Sequence, residues 1–207
     1  MNNKITNKVI NRLTLYHCIL ADYEENNKEY ISSVQLANLL KLDNSQVRKD
    51  IALLNNTGIC NVGYNVKALK KSIEIALGFH DIKDVFIVGA GNLGSAIAKY
   101  DRFQSYGLNV IALFDTDKNK IGSTINNKKV YDLKDLPKLS KKMNVEVAIL
   151  TVPRRSAQEA ANYLIQGDIK YIWNFTHYIL DLPDTIKVWN ENLIGNFLQF
   201  TADISKD

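Results

Sequence analysis

The chain of 207 residues contains only two cysteines, three prolines and no long uninterrupted hydrophobic segment. A membrane-spanning helix needs about 20 mostly apolar residues, and no such run occurs, nor does the N-terminus carry the apolar core of a secretion signal. Cys18 and Cys60 lie outside any Cys-x-x-Cys or Cys/His ligand pattern, which predicts reduced thiols and no metal site. These absences favour a cytoplasmic protein.

The positive charge of the chain is small and is concentrated towards its N-terminus. Residues 1–77 carry a net charge of +3 and residues 78–207 a net charge of +1, for a total of +4. An excess of this size often serves only solubility, so it does not by itself establish nucleic-acid binding. A DNA-binding function has to be argued from a motif.

The most informative motif is a glycine-rich turn between an apolar strand, predicted at Val85–Val88, and a helix. Its residues are Gly89, Ala90, Gly91, Asn92, Leu93 and Gly94. In a dinucleotide site of this pattern, the first glycine permits a tight turn, the second lets a pyrophosphate approach the backbone, and the third lets the helix pack close to the strand. A turn tightened for packing alone would explain Gly94 but neither Gly89 nor Gly91.

Asp115 stands at the end of the next predicted strand, directly after Val110–Phe114. An acid at this position accepts hydrogen bonds from the adenosine ribose hydroxyls and disfavours a 2′-phosphate. The pattern therefore predicts NAD(H) as the cofactor over NADP(H).

Downstream of residue 78, apolar strand-like runs alternate with helical segments, which predicts a Rossmann-type α/β domain with a doubly wound parallel sheet. The predicted strands are Val85–Val88, Val110–Phe114, Val147–Val152, Tyr171–Trp173 and Ile186–Trp189, and the predicted helices are Leu93–Tyr106, Leu133–Leu139 and Ser156–Gln166. Ligands of such folds bind at the carboxyl ends of the strands. Thr151, Val152, Pro153 and Asn174 stand at such ends and are predicted to line the nicotinamide half of the site, unless they are ordinary strand-end turns.

Upstream of this region the spacing predicts a winged helix-turn-helix domain. A first amphipathic helix at Thr6–Tyr23 precedes a short helix capped by Ser32 or Ser33, a third helix beginning near Ser45, and a ribbon at Ile59–Tyr64; a last helix, capped by Asn65, runs to Leu77. The third helix presents Ser45, Gln46, Arg48 and Lys49 at its N-terminal end, where they suit base edges and phosphates. Lys67, Lys70 and Lys71 are candidate phosphate contacts, or else solvated charges.

The predicted organisation is a DNA-binding domain at 1–78, a nucleotide-binding domain at 79–189 and a C-terminal helix within 190–207. The helical pattern at Glu191–Phe200 carries an apolar face with no later segment to cover it. Such a face docks either on its own domain or on a second subunit, and the pattern favours neither.

These motifs together resemble the Rex family, bacterial transcriptional repressors that respond to the NADH/NAD+ balance, over nearly the whole chain. The matching segments are Arg12-Leu13, Ile31–Ser33, Gln46–Asp50, Gly63–Val66, Gly89–Gly94, Tyr100, Phe114–Asp117, Ile149–Pro153 and Asn174-Phe175. The resemblance implies a homodimer that exchanges its C-terminal helix, binds operator DNA with oxidised cofactor and is released by NADH. It also implies switch roles for Arg12, which links the two domains, and Tyr100, which reports the cofactor state; otherwise Arg12 is a solvated charge and Tyr100 a packing aromatic.

The chain departs from the family pattern at several positions. Ile59-Cys60-Asn61 replaces a basic, glycine-rich wing, Thr14 stands in place of a proline and Cys18 in place of an arginine, so weaker phosphate contacts are predicted. Asn192 replaces an aspartate that pairs alternately with the switch tyrosine and arginine, and a neutral amide cannot form that charge pair.

The leading hypothesis is a dimeric repressor that binds operator DNA, and two alternatives stay open. One is an NAD-dependent oxidoreductase, which needs a proton donor or acceptor near the nicotinamide. Of His17, His80 and His177, only His177 follows a predicted strand end, and no second domain is large enough to enclose a substrate. The other is a nucleotide-binding dimer with weakened DNA binding.

Overall fold

The computed structural model describes residues 5–79, 81–100 and 102–205 of the chain. The chain divides into two compact units, Met1–Asp81 and Ile82–Asp207. No helix in the described ranges combines the length and the apolar character needed to cross a membrane.

The first unit is a winged helix. Its elements are α1 (Asn7–Glu25), β1 (Tyr30–Ile31), α2 (Ser33–Leu40), α3 (Asn44–Ala52), β2 (Tyr64–Asn65) and α4 (Val66–Leu77). Side chains from all four helices meet in one buried core, whose largest members are Leu13, Tyr16, Leu20, Ile31, Leu36, Ile51, Leu69 and Ile73. The predicted helix-turn-helix corresponds to α2 and α3.

Side-chain caps set the helix starts in this unit. The Ser32 hydroxyl accepts a hydrogen bond from the Gln35 N–H, and the Gln35 side chain accepts one from the Ser32 N–H, a capping box that starts α2. Asp43 accepts hydrogen bonds from the N–H groups of Ser45 and Gln46. Because Asp43 is the cap, α3 starts one residue earlier than predicted.

The predicted ribbon is shorter than expected. Ile59 and Gly63 form an isolated antiparallel bridge, whereas Tyr64 pairs with Ile31 in a separate two-stranded sheet. Gly63 has a φ of +112°, and a Cβ there would lie 2.5 Å from the Ile31 carbonyl oxygen. Glycine at this position therefore lets the wing return directly onto β1.

The second unit is a doubly wound α/β domain, as predicted. Its elements are β3 (Lys83–Val88), α5 (Asn92–Lys99), α6 (Arg102–Ser105), β4 (Leu108–Asp115), β5 (Thr124–Ile125), β6 (Lys128–Asp132), α7 (Leu136–Met143), β7 (Val147–Leu150), α8 (Ala157–Gln166), β8 (Tyr171–Asn174), β9 (Lys187–Asn190) and α9 (Leu193–Ile204). The strand order is β5-β6-β4-β3-β7-β8-β9; β5 pairs antiparallel with β6, and the other described pairs of this sheet are parallel.

The strand order places a switch point at the end of β3. The chain passes from β3 to β4 on one side and later returns to β7 on the other. Successive β3 side chains point to opposite faces: Phe86 and Val88 join one buried cluster, and Val85 and Ile87 join the other. The turn after β3 therefore opens at the crevice where ligands of this architecture bind.

Two predicted helices differ from those of the structure. The helix expected at Leu93–Tyr106 is two helices, α5 and α6, because Tyr100 leaves helical geometry with a ψ of 88°. The helix expected at Leu133–Leu139 begins as a 3-10 turn at Leu133–Asp135, and α7 follows with Pro137 in its first turn. Proline suits that position because its missing N–H would be unpaired there in any case.

Candidate nucleotide site and nucleic-acid interface

The three glycines of the turn after β3 have different steric surroundings. Gly89 has a φ of +104°, and a Cβ on it would lie 2.9 Å from the backbone of Thr151. A Cβ on Gly94 would lie 1.9 Å from the Gly89 carbonyl oxygen, whereas a Cβ on Gly91 meets no atom within 4 Å. Gly89 and Gly94 thus serve the turn and its packing, and Gly91 faces open space.

A cavity of about 490 Å³ opens beside this turn, within the range of roughly 300–1,000 Å³ seen for ligand pockets. Its lining includes seven predicted residues, namely Gly89, Gly91, Asn92, Asp115, Thr151, Val152 and Pro153. Ala90, Leu93 and Gly94 belong to the same turn and helix but do not line it. The open space at Gly91 and the N-terminus of α5 give an anion a backbone surface to approach, so the geometry fits a dinucleotide diphosphate.

Asp115 is held at the end of β4 by three donors. Its Oδ2 accepts hydrogen bonds from the Ala90 N–H at 2.8 Å and from the Lys120 Nζ at 3.3 Å, and its Oδ1 accepts one from the Asp117 N–H at 2.9 Å. Burial alone would raise the pKa of this carboxyl, but these hydrogen bonds outweigh burial and hold its pKa below the usual value. Asp115 is therefore a carboxylate at neutral pH.

Thr151 braces the turn from the neighbouring strand. Its hydroxyl donates to the carbonyl oxygens of Val88 at 3.1 Å and Gly89 at 2.9 Å, and its N–H donates to Val88 O. Asn174 does not line the cavity. It is buried, and its amide donates to the Tyr178 carbonyl and the Asn190 side chain, so its observed contacts stabilise the end of β8.

The cavity also contains residues that the sequence analysis missed. They are Val88, Phe114, Thr116, Lys120, Leu133, Arg155, Ser156, Glu159 and Ala160. Thr116 and Lys120 follow Asp115 in one loop, and Arg155 and Ser156 follow Pro153. Their positions in the sequence, just after predicted site residues, could have indicated them. Among the described residues, no group of three or more His, Cys, Asp or Glu side chains is arranged to hold a metal.

Two cations of α3 face solvent in its middle and last turn, not at its N-terminal end as predicted. Arg48 and Lys49 are exposed, and within the described part of the chain no recorded hydrogen bond or ion pair engages either side chain. The other two predicted contacts are used internally: the Ser45 hydroxyl donates to Asp43, and the Gln46 amide donates to Asp50 Oδ1 at 2.8 Å. Arg48 and Lys49 are thus the free cationic pair of this helix.

The three predicted lysines of α4 differ in their partners. Lys70 lies 2.7 Å from Glu24 and holds the pKa of that carboxyl below its usual value, while Lys71 lies 3.7 Å from Glu74. Lys67 is exposed and lines a shallow depression that also contains Glu24. Acidic neighbours therefore offset part of the positive charge of α4.

Arg12 lies in a polar cluster of the first unit. Its Nε and Nη2 donate to the two oxygens of Asp50 at 2.6 and 2.8 Å, and the Tyr16 hydroxyl donates to the same carboxylate at 2.8 Å. Asp50 is 1% exposed. The cluster joins α1 to α3, so the predicted switch arginine is paired within its own unit.

The other two predicted switch residues lie in the second unit. Tyr100 is exposed at the end of α5, and its ring packs edge-on against Phe103 with centroids 5.1 Å apart. Asn192 is the N-cap of α9, because its side chain accepts a hydrogen bond from the Gly195 N–H at 2.9 Å.

The terminal helix α9 has no buried residue. Its apolar side chains, each between 53% and 61% exposed, are Leu193, Ile194, Phe197, Leu198, Phe200 and Ile204. The sequence analysis allowed this face to pack either on its own domain or on a second subunit. The structure does not bury it against its own unit. An apolar face of this kind marks an interaction surface.

Two family models match separate parts of the chain. The family model described as a CoA binding domain matches residues 80–178, and one described as a putative DNA-binding protein N-terminus matches residues 4–52. A redox-sensing transcriptional repressor Rex from Treponema denticola is 40% identical over 188 residues, covering 91% of this chain and 90% of its own. One from Clostridium botulinum is 37% identical over 202 residues, covering 98% of this chain and 96% of its own.

Two solved structures extend the similarity to the fold. RSP in complex with β-NAD+ and operator DNA is 30% identical, with a TM-score of 0.89 over 99% of this chain and 94% of RSP. RSP in complex with β-NADH is 31% identical, with a TM-score of 0.84 over 99% of this chain and 96% of RSP. The similarity thus includes both the DNA-binding helices and the nucleotide fold.

Proposed function

Because the chain belongs to the Rex family, we propose that it is a transcriptional repressor that senses the NADH/NAD+ ratio. It binds operator DNA when NADH is low and is released by NADH. The observation that carries this proposal is the presence, in one chain, of a recognition helix with free cations at Arg48 and Lys49 and a glycine-turn cavity ending at Asp115.

We propose the nucleotide contacts from the residues that line the cavity. Asp115 holds the adenosine ribose, the N–H groups at the start of α5 receive the diphosphate, and the strand end at Thr151–Pro153 faces the nicotinamide. Of the remaining predicted residues, Gly89 and Asn92 line the cavity and are proposed contacts. Ala90, Leu93, Gly94 and Asn174 do not line it and are proposed to shape the turn and the strand end around it. The bound cofactor supplies a ring that carries a positive charge when oxidised and none when reduced.

Switching requires that the charge difference between oxidised and reduced nicotinamide favour different conformations of the protein, one that binds DNA and one that does not. A ligand shifts an equilibrium only by its differential affinity for the two states. Arg12, Tyr100 and Asn192 are the proposed switch set. The Arg12–Asp50 pair holds α1 on α3, so a change of partner for Arg12 would act directly on the recognition helix.

We propose that the cavity senses the nucleotide and does not turn it over. The predicted proton-transfer candidate, His177, is exposed and does not line the cavity, and His80 lies outside the described residues. A regulator of this kind acts in the cytoplasm. Its proposed segments are a DNA-binding domain at 1–78, a nucleotide domain at 79–189 and a dimerisation segment at 190–207.

The decisive measurement is the affinity of the full chain for an operator duplex in the presence of NAD+ or NADH. The duplex of the RSP complex is a suitable fluorescent probe, with a scrambled duplex as control. We expect binding with NAD+ to be at least about tenfold tighter than with NADH, a difference of ~1.4 kcal/mol. A variant carrying Arg48→Ala and Lys49→Ala should bind the operator much more weakly yet keep its NADH affinity. Because each subunit of the dimer loses two cations, the slope of log K against log salt should become shallower by up to about four.

The possible failures of this experiment separate the alternatives. Equal operator affinities with the two nucleotides would exclude redox switching. Binding of NADH without retention of any duplex at low salt would favour the nucleotide-binding dimer, and turnover of NADH with an aldehyde or oxo acid would favour the oxidoreductase.

The dimer itself gives a separate prediction at α9. Phe197 is 61% exposed near the middle of the apolar face, so Phe197→Asp would place a charge within the proposed subunit contact. We expect this variant to sediment as a folded monomer at concentrations where the unmodified chain is a dimer. Gln199→Glu adds the same charge on the opposite face of α9 and should remain dimeric. Equal sedimentation of both variants as dimers would contradict the assignment of α9 to the interface.

A further inference from the structure

The segment that joins β9 to the terminal helix α9 consists of two residues, Glu191 and Asn192. Asn192 caps the helix, and Glu191 is held against the neighbouring strand β8 at two of its atoms. The Glu191 N–H donates to the Asn174 carbonyl at 2.8 Å, and Glu191 Oε1 accepts a hydrogen bond from Trp173 Nε1 at 2.8 Å. The residue before the helix cap is therefore tied to the sheet by both its backbone and its side chain.

The indole of Trp173 is confined by other aromatic rings. It packs edge-on against Phe103, with ring centroids 5.9 Å apart, and at a tilt against Phe175, with centroids 4.9 Å apart. All three rings are partly buried and pack against the cluster on the face of the sheet that carries Ile87. Because these contacts restrict the ring, its N–H is presented to Glu191 at a defined place.

This hydrogen bond matters because α9 has little packing of its own on the second unit. None of its residues is buried, so side-chain burial does not fix the direction in which the helix leaves the sheet. A segment that is already held in its bound orientation loses less conformational freedom when it associates. A contact that holds the start of α9 should therefore strengthen association through this helix.

We propose that Glu191 is a positioning residue for the dimer: its hydrogen bond with Trp173 fixes the orientation of α9 and so presents the apolar face of the helix to a second copy of this chain. The inference rests on the proposed function, because it presumes that α9 forms the subunit contact. Glu191 acts through Trp173 and through the helix that follows it.

The charge of Glu191 offers a competing explanation. A negative charge beside the N-terminus of a helix stabilises that helix whatever hydrogen bonds it makes. The two explanations can be separated, because the contact with Trp173 needs an acceptor, whereas the helix dipole needs a charge. Glu191→Gln keeps the acceptor without the charge, and Trp173→Phe removes the donor while the charge stays.

The test measures the dimer dissociation constant of the full chain by sedimentation equilibrium. We expect Glu191→Ala and Trp173→Phe each to raise this constant about tenfold, since each removes the hydrogen bond from both subunits. In Glu191→Gln a neutral acceptor keeps the hydrogen bond in a weaker form, so the constant should stay within about threefold of the unmodified value. The variant with both Glu191→Ala and Trp173→Phe should dimerise no more weakly than either single variant, because the two residues act through one contact.

Asp184→Ala is the matched control, because it removes an exposed carboxylate from the segment before β9 and should leave dimerisation unchanged. Far-ultraviolet circular dichroism should show the same helix content for every variant. If Trp173→Phe fails to fold, the comparison of Glu191→Gln with Glu191→Ala decides the proposal, since both leave the aromatic rings in place.

Three results would overturn the role of Glu191 while leaving the proposed function intact. They are unchanged dimerisation of Glu191→Ala, equal weakening by Glu191→Ala and Glu191→Gln, and additive losses in the double variant. The second would assign the effect to the charge at the helix start, and the third would show that Glu191 and Trp173 act separately. An unmodified chain that sediments as a monomer would overturn the proposed dimer and this inference with it.

Discussion

Replacing Gly91 by alanine is expected to abolish nucleotide binding without unfolding the chain. Gly91 has a φ of −81°, which alanine adopts freely, and a Cβ there meets no protein atom within 4 Å. The added methyl group instead occupies the space through which the diphosphate approaches the N-terminus of α5. We expect the Kd for NADH to rise by at least about 100-fold, since a clash at this position costs a few kcal/mol.

Gly94→Ala is the contrasting substitution. Its Cβ would lie 1.9 Å from the Gly89 carbonyl oxygen, so the turn itself must move. This variant should lose NADH binding and also destabilise the second unit by about 1–3 kcal/mol. Calorimetry for binding and urea unfolding for stability distinguish the two cases. Normal NADH binding by Gly91→Ala would show that the diphosphate does not pass this residue.

The glycine turn could be predicted from sequence because its function depends on residues that are close together in the chain. Gly89 has a positive φ, Gly94 packs against the Gly89 carbonyl, Gly91 leaves open space at the start of α5, and Asp115 ends the next strand. Lys120 could not be predicted in the same way, because its contact with Asp115 depends on the course of a loop. Parallel-strand order brings Thr151 against Gly89, a contact that no local pattern indicates.

The strands that were missed have a similar cause. β5 and β6 form an edge hairpin through Asn126 and Asn127, both with positive φ, as a tight turn between antiparallel strands requires. The β6 sequence begins with two lysines, so it lacks the apolar run by which the buried strands were recognised. At α3, residue type predicted Ser45 and Gln46 as DNA contacts, but their side chains bond to Asp43 and Asp50.

Replacing Asp50 by alanine is expected to have the largest effect on the first unit. Asp50 is 1% exposed and accepts hydrogen bonds from Arg12, Tyr16 and Gln46. Its removal leaves a guanidinium and a buried hydroxyl without their acceptor, and breaking such a pair costs about 3–5 kcal/mol. We expect the first unit to unfold at lower urea concentration, with loss of operator binding. NADH should still bind the second unit and stabilise it by mass action.

Asp43→Ala is the matched control, because it removes an acid from the start of the same helix. Asp43 is exposed and serves as the N-cap, so its loss should destabilise the first unit much less than the loss of buried Asp50. Equal destabilisation by the two substitutions would contradict the special role of the buried cluster.

The same cluster sets a direction for acid sensitivity. Burial raises the pKa of Asp50, but hydrogen bonds from Arg12, Tyr16 and Gln46 outweigh burial and hold its pKa below the usual value. Its contribution is therefore fully present above the pKa of about 3.9 in the unfolded chain, and it is lost as the pH falls through the lower folded value. In Asp50→Asn, which lacks this titration, the stability of the first unit should fall less steeply below about pH 4. If the unmodified chain and Asp50→Asn lose stability equally steeply below about pH 4, the acid sensitivity of the first unit does not arise from the contact between α1 and α3.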